Sequence, residues 1–469
     1  MSINEFSEKV RNKEIDVIEH IHKVIEETKK INKEYNYFNN ISEELALKQA
    51  KALSKNPKGK LAGIPLAVKD SICVKNVESP AGSSILKGYV PLFNATCVQQ
   101  AIDEGAIVIG KTSQDEFGFG AFSVNVGLGF KIPKNPFNRE YATGGSSGGA
   151  AGIAQKSSFP LVSYGESTGG SIASPASLCG VYGLCPTYGL VSRYGLIDYG
   201  NSFDKVGPIS KNINDLALSL EVMSGYDKKD STSLDIKNGN YSKSIGKDIK
   251  GLKIGVLKEG FNDIDPEVKE AVWRGIKELE QQGAKYEEVS TPLTVEYGIP
   301  SYYILAPSEA STNLAKLCGM RYGETKKLEG SFNDYFTKVR SENFGEEAKR
   351  RIILGTFARM AGYRDAYYLK AAKVRTKIIE EYKKVFKKVD VLVSPTVPFL
   401  PKKFSEIEKM TPLENYLADI LLVGPNLAGM PHINVPVGFS KEKMPIGMML
   451  IGDHLQEEKL IQAASAIGK

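Results

Sequence analysis

The chain has 469 residues, of which 42% are hydrophobic and 25% charged, and a formal net charge of +6. These proportions exclude a disordered or fibrous polypeptide and a single small core, and they suit one large α/β body with additions. So modest a charge for this length leaves no electrostatic footprint for direct nucleic-acid binding, and no apolar run approaches the roughly 18 residues that a membrane span needs.

The first 60 residues are charged and helical in period. In IEHIHKVIEE, Ile18, Ile21 and Ile25 share one face, which predicts an N-terminal helical layer over 1–60. The opening MSINEFSEKVRNKEID carries charges where a signal peptide needs an apolar stretch, so the expected location is cytoplasmic. From Leu61 to about Met223 the chain becomes Gly-rich and apolar, with strand-like runs GIPLAV and GAIVIG. GLKIGVL at 251–257 follows. A helix is then opened by Asp265 and Pro266, with Val268, Val272, Ile276 and Leu279 on one stripe, and KYEEVS completes a β-α-β unit. Residues from about 300 to 388 read as largely helical, whereas VDVLVSPTVP and HINVPVGF return to strand character. The expected architecture is an α/β fold, a large mixed sheet covered by helices on both faces, with a helical excursion set into a catalytic body at 61–469.

The five cysteines contain no CxxC pair and are expected to be buried free thiols rather than a metal framework. GAIVIGKT, Gly105 to Thr112, fits the phosphate-loop pattern letter for letter. Its variable positions are Ala-Ile-Val-Ile, however, which suit a strand better than an exposed cradle of N–H groups. GGSSG, Gly144 to Gly148, fits a hydrolase nucleophile elbow with Ser146 as nucleophile, but that mechanism needs a histidine base. Of the four histidines only His432 falls in a core-like segment, and a structural role is expected for it.

A third constellation uses both Gly-Ser clusters, TGGSSGG at 143–149 and GESTGGS at 165–171. Without histidine, a serine needs another base, and a lysine held neutral by burial can serve. Lys69 ends the run GIPLAVK, where the alternative is a side chain snorkelling from a strand end. Glycines preceding Ser171 would let backbone N–H groups approach an oxyanion, which makes Thr168, Gly169 and Gly170 the oxyanion-hole candidates.

Together LAGIPLAVKD, GGSSGG and GESTGGSIASPASLCGVYGLCPTYGLVSRYGL resemble the amidase signature family over nearly the whole chain. The resemblance implies a catalytic triad of Lys69, Ser146 in a cis peptide, and Ser171 as nucleophile. EEAKRRIILGTF, YYILAPSEAS and ENYLADILLVGPNLAGMPHINVP are further similar to the glutaminase (A) subunits of tRNA-dependent amidotransferases. From that similarity follow Arg351 on the α-carboxylate of glutamine, with Arg350 as the alternative, Asp419 on its α-amino group, and Tyr302 as a pocket residue. It also implies no cofactor in this subunit. A partner B subunit would use ATP and Mg²⁺ to activate misacylated Asp-tRNA or Glu-tRNA, and a C subunit would clasp the two. The chain departs from the family pattern at Glu166-Ser167, where Ser-Asp is usual, at Ala173 in place of an arginine, and at Val124 in place of a glutamate.

Overall fold

Strand-forming runs bounded by turns become the ladder of one sheet in this computed structural model, which describes residues 1–468. Its strands are β1 (Phe38–Ile41), β2 (Pro65–Lys69), β3 (Ile107–Thr112), β4 (Val162–Ser167), β5 (Tyr182–Cys185), β6 (Lys205–Ser210), β7 (Lys253–Leu257), β8 (Lys285–Val289), β9 (Val391–Pro395), β10 (His432–Phe439) and β11 (Pro445–Gly452). They run in the order β1-β3-β2-β4-β6-β5-β10-β11-β9-β7-β8. The pairs β3-β2-β4 and β9-β7-β8 are parallel, while the central strands from β4 to β9 pair antiparallel, so the sheet is mixed. β2, β3, β4 and β6 are buried along their whole lengths, as strands covered on both faces must be.

The predicted β-α-β unit forms as β7, the helix Pro266–Gln281 and β8. Asp265 caps that helix by accepting from the N–H groups of Glu267 and Val268, and Val268, Val272, Ile276 and Leu279 are buried. The helical excursion begins at Pro292, earlier than the expected 300. It contains the helices Pro292–Asn313, Phe332–Asn343, Glu346–Arg359 and Lys370–Val385, the last entered through a π-helical turn at Asp365–Leu369.

The segment 1–60 differs from a purely helical layer. Its helices are Ile3–Arg11, Val17–Tyr35 and Glu43–Lys55, and between the last two lies β1, which pairs antiparallel with β3 and closes one sheet edge. Ile21 and Ile25 are buried in the same core as Leu66 and Val108, with Ile18 packed against it. The four residues of β1 are too few for a clear two-residue alternation, which is why helical period alone dominates the sequence there. Among the described residues no helix is long and apolar enough to cross a membrane. All five cysteines are free; Cys318 is partly exposed and the other four are buried.

Candidate active site

Two adjacent parallel strands end on the same side of a sheet, and this brings the first two groups of the site together. β2 lies beside β4 with Val68 opposite Tyr164, so Lys69 at the end of β2 meets Glu166 near the end of β4. Lys69 is fully buried. Its Nζ contacts Ser146 Oγ at 2.6 Å and donates to the carbonyl oxygen of Glu166 at 2.9 Å and to Glu166 Oε2 at 2.9 Å. The snorkelling alternative is thereby excluded. A carboxylate, Glu166, is seated against the Lys69 amine.

Ser146 sits in the loop before the helix Gly148–Lys156, and the Gly145–Ser146 peptide is cis. A second loop holds it. Gly145 N–H donates to Ala121 O at 2.7 Å, Ser123 Oγ donates to Gly144 O at 2.8 Å, and Gly148 N–H donates back to Ser123 Oγ at 3.2 Å. Asp115 anchors this loop by accepting from the N–H groups of Ser123 and Asn125. A Cβ on Gly145 would lie 2.3 Å from Asp115 Oδ2 and 2.7 Å from Ser123 N, so no side chain fits there. Burial pushes the Asp115 carboxyl up to about 6.

Ser171 opens the turn that precedes the helix Ala173–Leu178. Its carbonyl accepts from Ser147 N–H at 3.2 Å, which ties the two Gly-Ser clusters together. Among the described residues, the N–H groups of Thr168, Gly169 and Gly170 have no acceptor within the protein. Both glycines are closely packed: a Cβ on Gly169 would stand 2.6 Å from the Tyr302 ring. One on Gly170 would stand 2.6 Å from Leu422 and 3.2 Å from Asp419 Oδ1. The Thr168 hydroxyl points elsewhere, engaged by the carboxyls of Glu166 and Asp204 at 2.8 and 2.7 Å.

Arg351 and Arg350 part company in the structure. Arg351 is buried, donates to Glu347 Oε1 at 2.8 Å and to the Tyr199 hydroxyl, and lies 5.2–5.7 Å from the ring centres of Phe119, Tyr199, Tyr303 and Tyr416. Such an aromatic cage holds a guanidinium by its faces, and with Nε on Glu347 and Nη1 on Tyr199 it is the Nη2 side that is left for a further anion. Arg350 instead pairs with Glu347 from a side chain that is 40% exposed. Asp419 is buried, accepts from the Tyr303 hydroxyl at 3.2 Å, and has its carboxyl pushed up to about 7 by burial against the pull of Arg351. Tyr302 is buried between Gly169 and the rings of Phe203 and Tyr303. A cavity of about 920 Å³ is lined by Val124, Tyr303, Arg350, Arg351 and Tyr416 but by none of Lys69, Ser146 and Ser171, so it adjoins the Arg351 end of the site.

The two competing motifs fall apart. Ile107–Thr112 is β3, and Lys111 is buried with its Nζ donating to Asp70 O, Ile72 O and Ser79 Oγ, which leaves no loop for a phosphate. His432 lies on β10, three places along the sheet from β4. Its ring contacts Met430 O and Asn426, and burial with nearby Lys205 holds it well below the usual histidine range.

The amidase family model matches residues 19–461, nearly the whole of the chain. This chain belongs to the amidase family. As an amidase it is 45% identical over 407 residues to the A subunit of a glutamyl-tRNA(Gln) amidotransferase of Halothermothrix orenii, covering 87% of this chain and 84% of that one. It is 41% identical to the protein of the same name from a Sulfurihydrogenibium species, covering 99% and 96%. Among solved structures it is similar to a glutamyl-tRNA(Gln) amidotransferase A subunit from Thermotoga maritima, with a TM-score of 0.81, 34% identity and coverage of 99% and 94%.

Residues that the sequence reading missed are Asp115, Tyr199, Tyr303, Glu347 and Tyr416, and the pairing of Glu166 with Lys69. Most of them act through partners far away along the chain, and none belongs to a Gly-Ser cluster except Glu166, whose departure from the family pattern was the available signal.

Proposed function

We propose that this amidase is the glutamine-hydrolysing subunit of a tRNA-dependent amidotransferase. The observation that carries the reading is the buried Lys69–Ser146 contact, joined through Ser147 to the Ser171 turn, together with one caged arginine, Arg351, and one buried aspartate, Asp419, that both meet Tyr303. A free amino acid with an amide side chain suits that pair: guanidinium for α-carboxylate, carboxylate for α-ammonium. The names carried by the similar proteins support the same substrate class.

In this reading Ser171 Oγ attacks the side-chain carboxamide, its proton passes to Ser146 Oγ, and Ser146 gives its own to Lys69 Nζ. The unpaired N–H groups of Thr168, Gly169 and Gly170 are the donors for the developing oxyanion. Returning the proton to the amide nitrogen releases ammonia, and water then hydrolyses the glutamyl ester. Arg351 takes the carboxylate, Asp419 the ammonium, and Tyr302 forms the floor under Gly169. No cofactor is needed in this subunit. ATP and Mg²⁺ belong to a B subunit that activates Asp-tRNA or Glu-tRNA, a C subunit joins the two, and the assembly is cytoplasmic.

The test is glutamine hydrolysis by the chain alone and with B and C subunits, with and without misacylated tRNA. Ser171→Ala is expected to abolish glutamine-driven amidation and to leave ammonia-driven amidation within about twofold. Loss of both would overturn the assignment, and full amidase activity of the lone chain on simple amides but not on glutamine would make it a free-standing enzyme.

A further inference from the structure

Behind Lys69 lies a run of buried polar side chains, Glu166, Thr168 and Asp204, whose hydroxyl and carboxyl groups the mechanism above does not use. Glu166 Oε2 accepts from Lys69 Nζ at 2.9 Å, and Glu166 Oε1 accepts from the Thr168 hydroxyl at 2.8 Å. That same hydroxyl oxygen stands 2.7 Å from Asp204 Oδ1. One O–H can donate to only one carboxylate, so the second contact requires a proton on the other carboxyl. Asp204 is the holder. Burial and the neighbouring Glu166 push its carboxyl well above the usual range, and they outweigh the N–H groups of Tyr199 and Gly200, which donate to its oxygens and favour the ionised form. The order of donation is therefore Asp204 to Thr168, Thr168 to Glu166, and Lys69 to Glu166.

A charged lysine has three protons, and Lys69 has three acceptors within reach: Ser146 Oγ, the Glu166 carbonyl and Glu166 Oε2. In that state it cannot take a proton from Ser146. We infer that Glu166 is a positioning residue that removes one proton from Lys69, so that the base serving Ser146 is a lysine–carboxyl pair and not a solitary amine. The proton moves from Nζ to Oε2, the N–H bond breaking as the O–H bond forms. Rotation about Cε–Nζ then turns the freed lone pair to the Ser146 O–H, while the two remaining N–H groups face the Glu166 oxygens. Thr168 and the protonated Asp204 brace Glu166 Oε1 throughout, so only Oε2 changes its proton. Because one cation and one anion become two neutral groups, the transfer suits a site from which water is excluded.

The groups around Glu166 are few. β2 presents Lys69, the segment before β6 presents Asp204, and β5 presents the Cys185 thiol, itself held up by burial. The 116–118 turn presents bare Gly118, whose Cβ position is 3.5 Å from Glu166 Oε2, and Asp115 lies beyond Lys69.

The inference rests on Ser171 as nucleophile but not on glutamine as substrate, so its test uses a substrate-free readout. The full chain is treated with a fluorophosphonate, and the second-order rate of Ser171 phosphonylation is followed from about pH 6 to 10. Glu166→Gln keeps the shape and removes the proton acceptor. Its rate at pH 7 is expected to fall at least about tenfold, and its acid limb to move at least about one pH unit higher, the equivalent of that tenfold change in protonation ratio. A profile that superimposes on the unaltered chain, or moves lower because Glu166 merely held Lys69 charged, would overturn the inference. Should Glu166→Gln fail to fold, the limb of the unaltered chain is measured at two temperatures. A carboxyl limb barely moves with temperature, and the large displacement of an amine limb would overturn it equally. Rapid phosphonylation without glutamine hydrolysis would count against the proposed function alone, whereas absence of phosphonylation would overturn both.

Discussion

Asp419→Asn offers the sharpest test of the substrate pocket. In the unliganded site the Asp419 carboxyl is pushed up to about 7 by burial, so at pH 6 most molecules carry a proton there. An ammonium group bound against Asp419 requires the ionised form, and binding must then expel that proton. Apparent affinity accordingly scales with the ionised fraction, and Kd falls roughly eightfold between pH 6 and 7.5. Replacing the carboxylate by an amide removes one charge-assisted hydrogen bond, an effect of about 1.5–3 kcal/mol or roughly 10- to 150-fold in Kd. The replacement also removes the titration. Calorimetry of glutamine binding in the Ser171→Ala background, where nothing turns over, measures both. Buffers of different ionisation heat count the released proton, expected to approach one at pH 6 with the carboxyl of Asp419 present and none once the amide replaces it. A flat Kd across this range in the parent, or an undiminished slope after Asp419→Asn, would refute the assignment.

Gly355→Ala tests the packing that carries Arg351. A Cβ there would lie 1.8 Å from the carbonyl oxygen of Pro307 on the helix Pro292–Asn313. The two helices must part, at a cost of about 3 kcal/mol and several degrees in Tm. Because Arg351 is one turn earlier on the displaced helix, glutamine affinity should weaken as well, and a Tm within about a degree of the parent would contradict the contact. Thermal scans against pH form a separate test. Burial raises Asp115 to about 6 and Glu116 and Asp419 to about 7, all above their unfolded values. The stability that these protonated carboxyls contribute is complete below the unfolded pKa values and is lost as pH rises through the folded ones. Tm of the unliganded protein should therefore decline from about pH 5 to 8, and saturating glutamine should flatten the decline.

What could be read from the sequence is what short-range pattern encodes. Lys69 was legible because an apolar run of strand character delivers it to a buried end. The capped helix at Asp265 declared its own boundary. The aromatic cage was not legible: Arg351 meets Tyr199 across 152 positions, and Asp419 meets Tyr303 across 116. Periodicity tells which face of a helix is buried but not which distant face it meets. Glu166 shows the same limit more pointedly. Its unusual identity was visible, yet its partner became known only when β2 and β4 paired in parallel.

The far border of the sheet has a bearing on how the protein behaves when crowded. Among the described residues β8 has one neighbour, β7, and Lys285, Tyr286, Glu287 and Glu288 along it all face solvent. A second chain adding a strand there would have to strip hydration from a lysine and two glutamates before gaining any main-chain hydrogen bond. The ladder thus terminates itself by charge on that side, and growth into stacked ribbons is discouraged without any covering element.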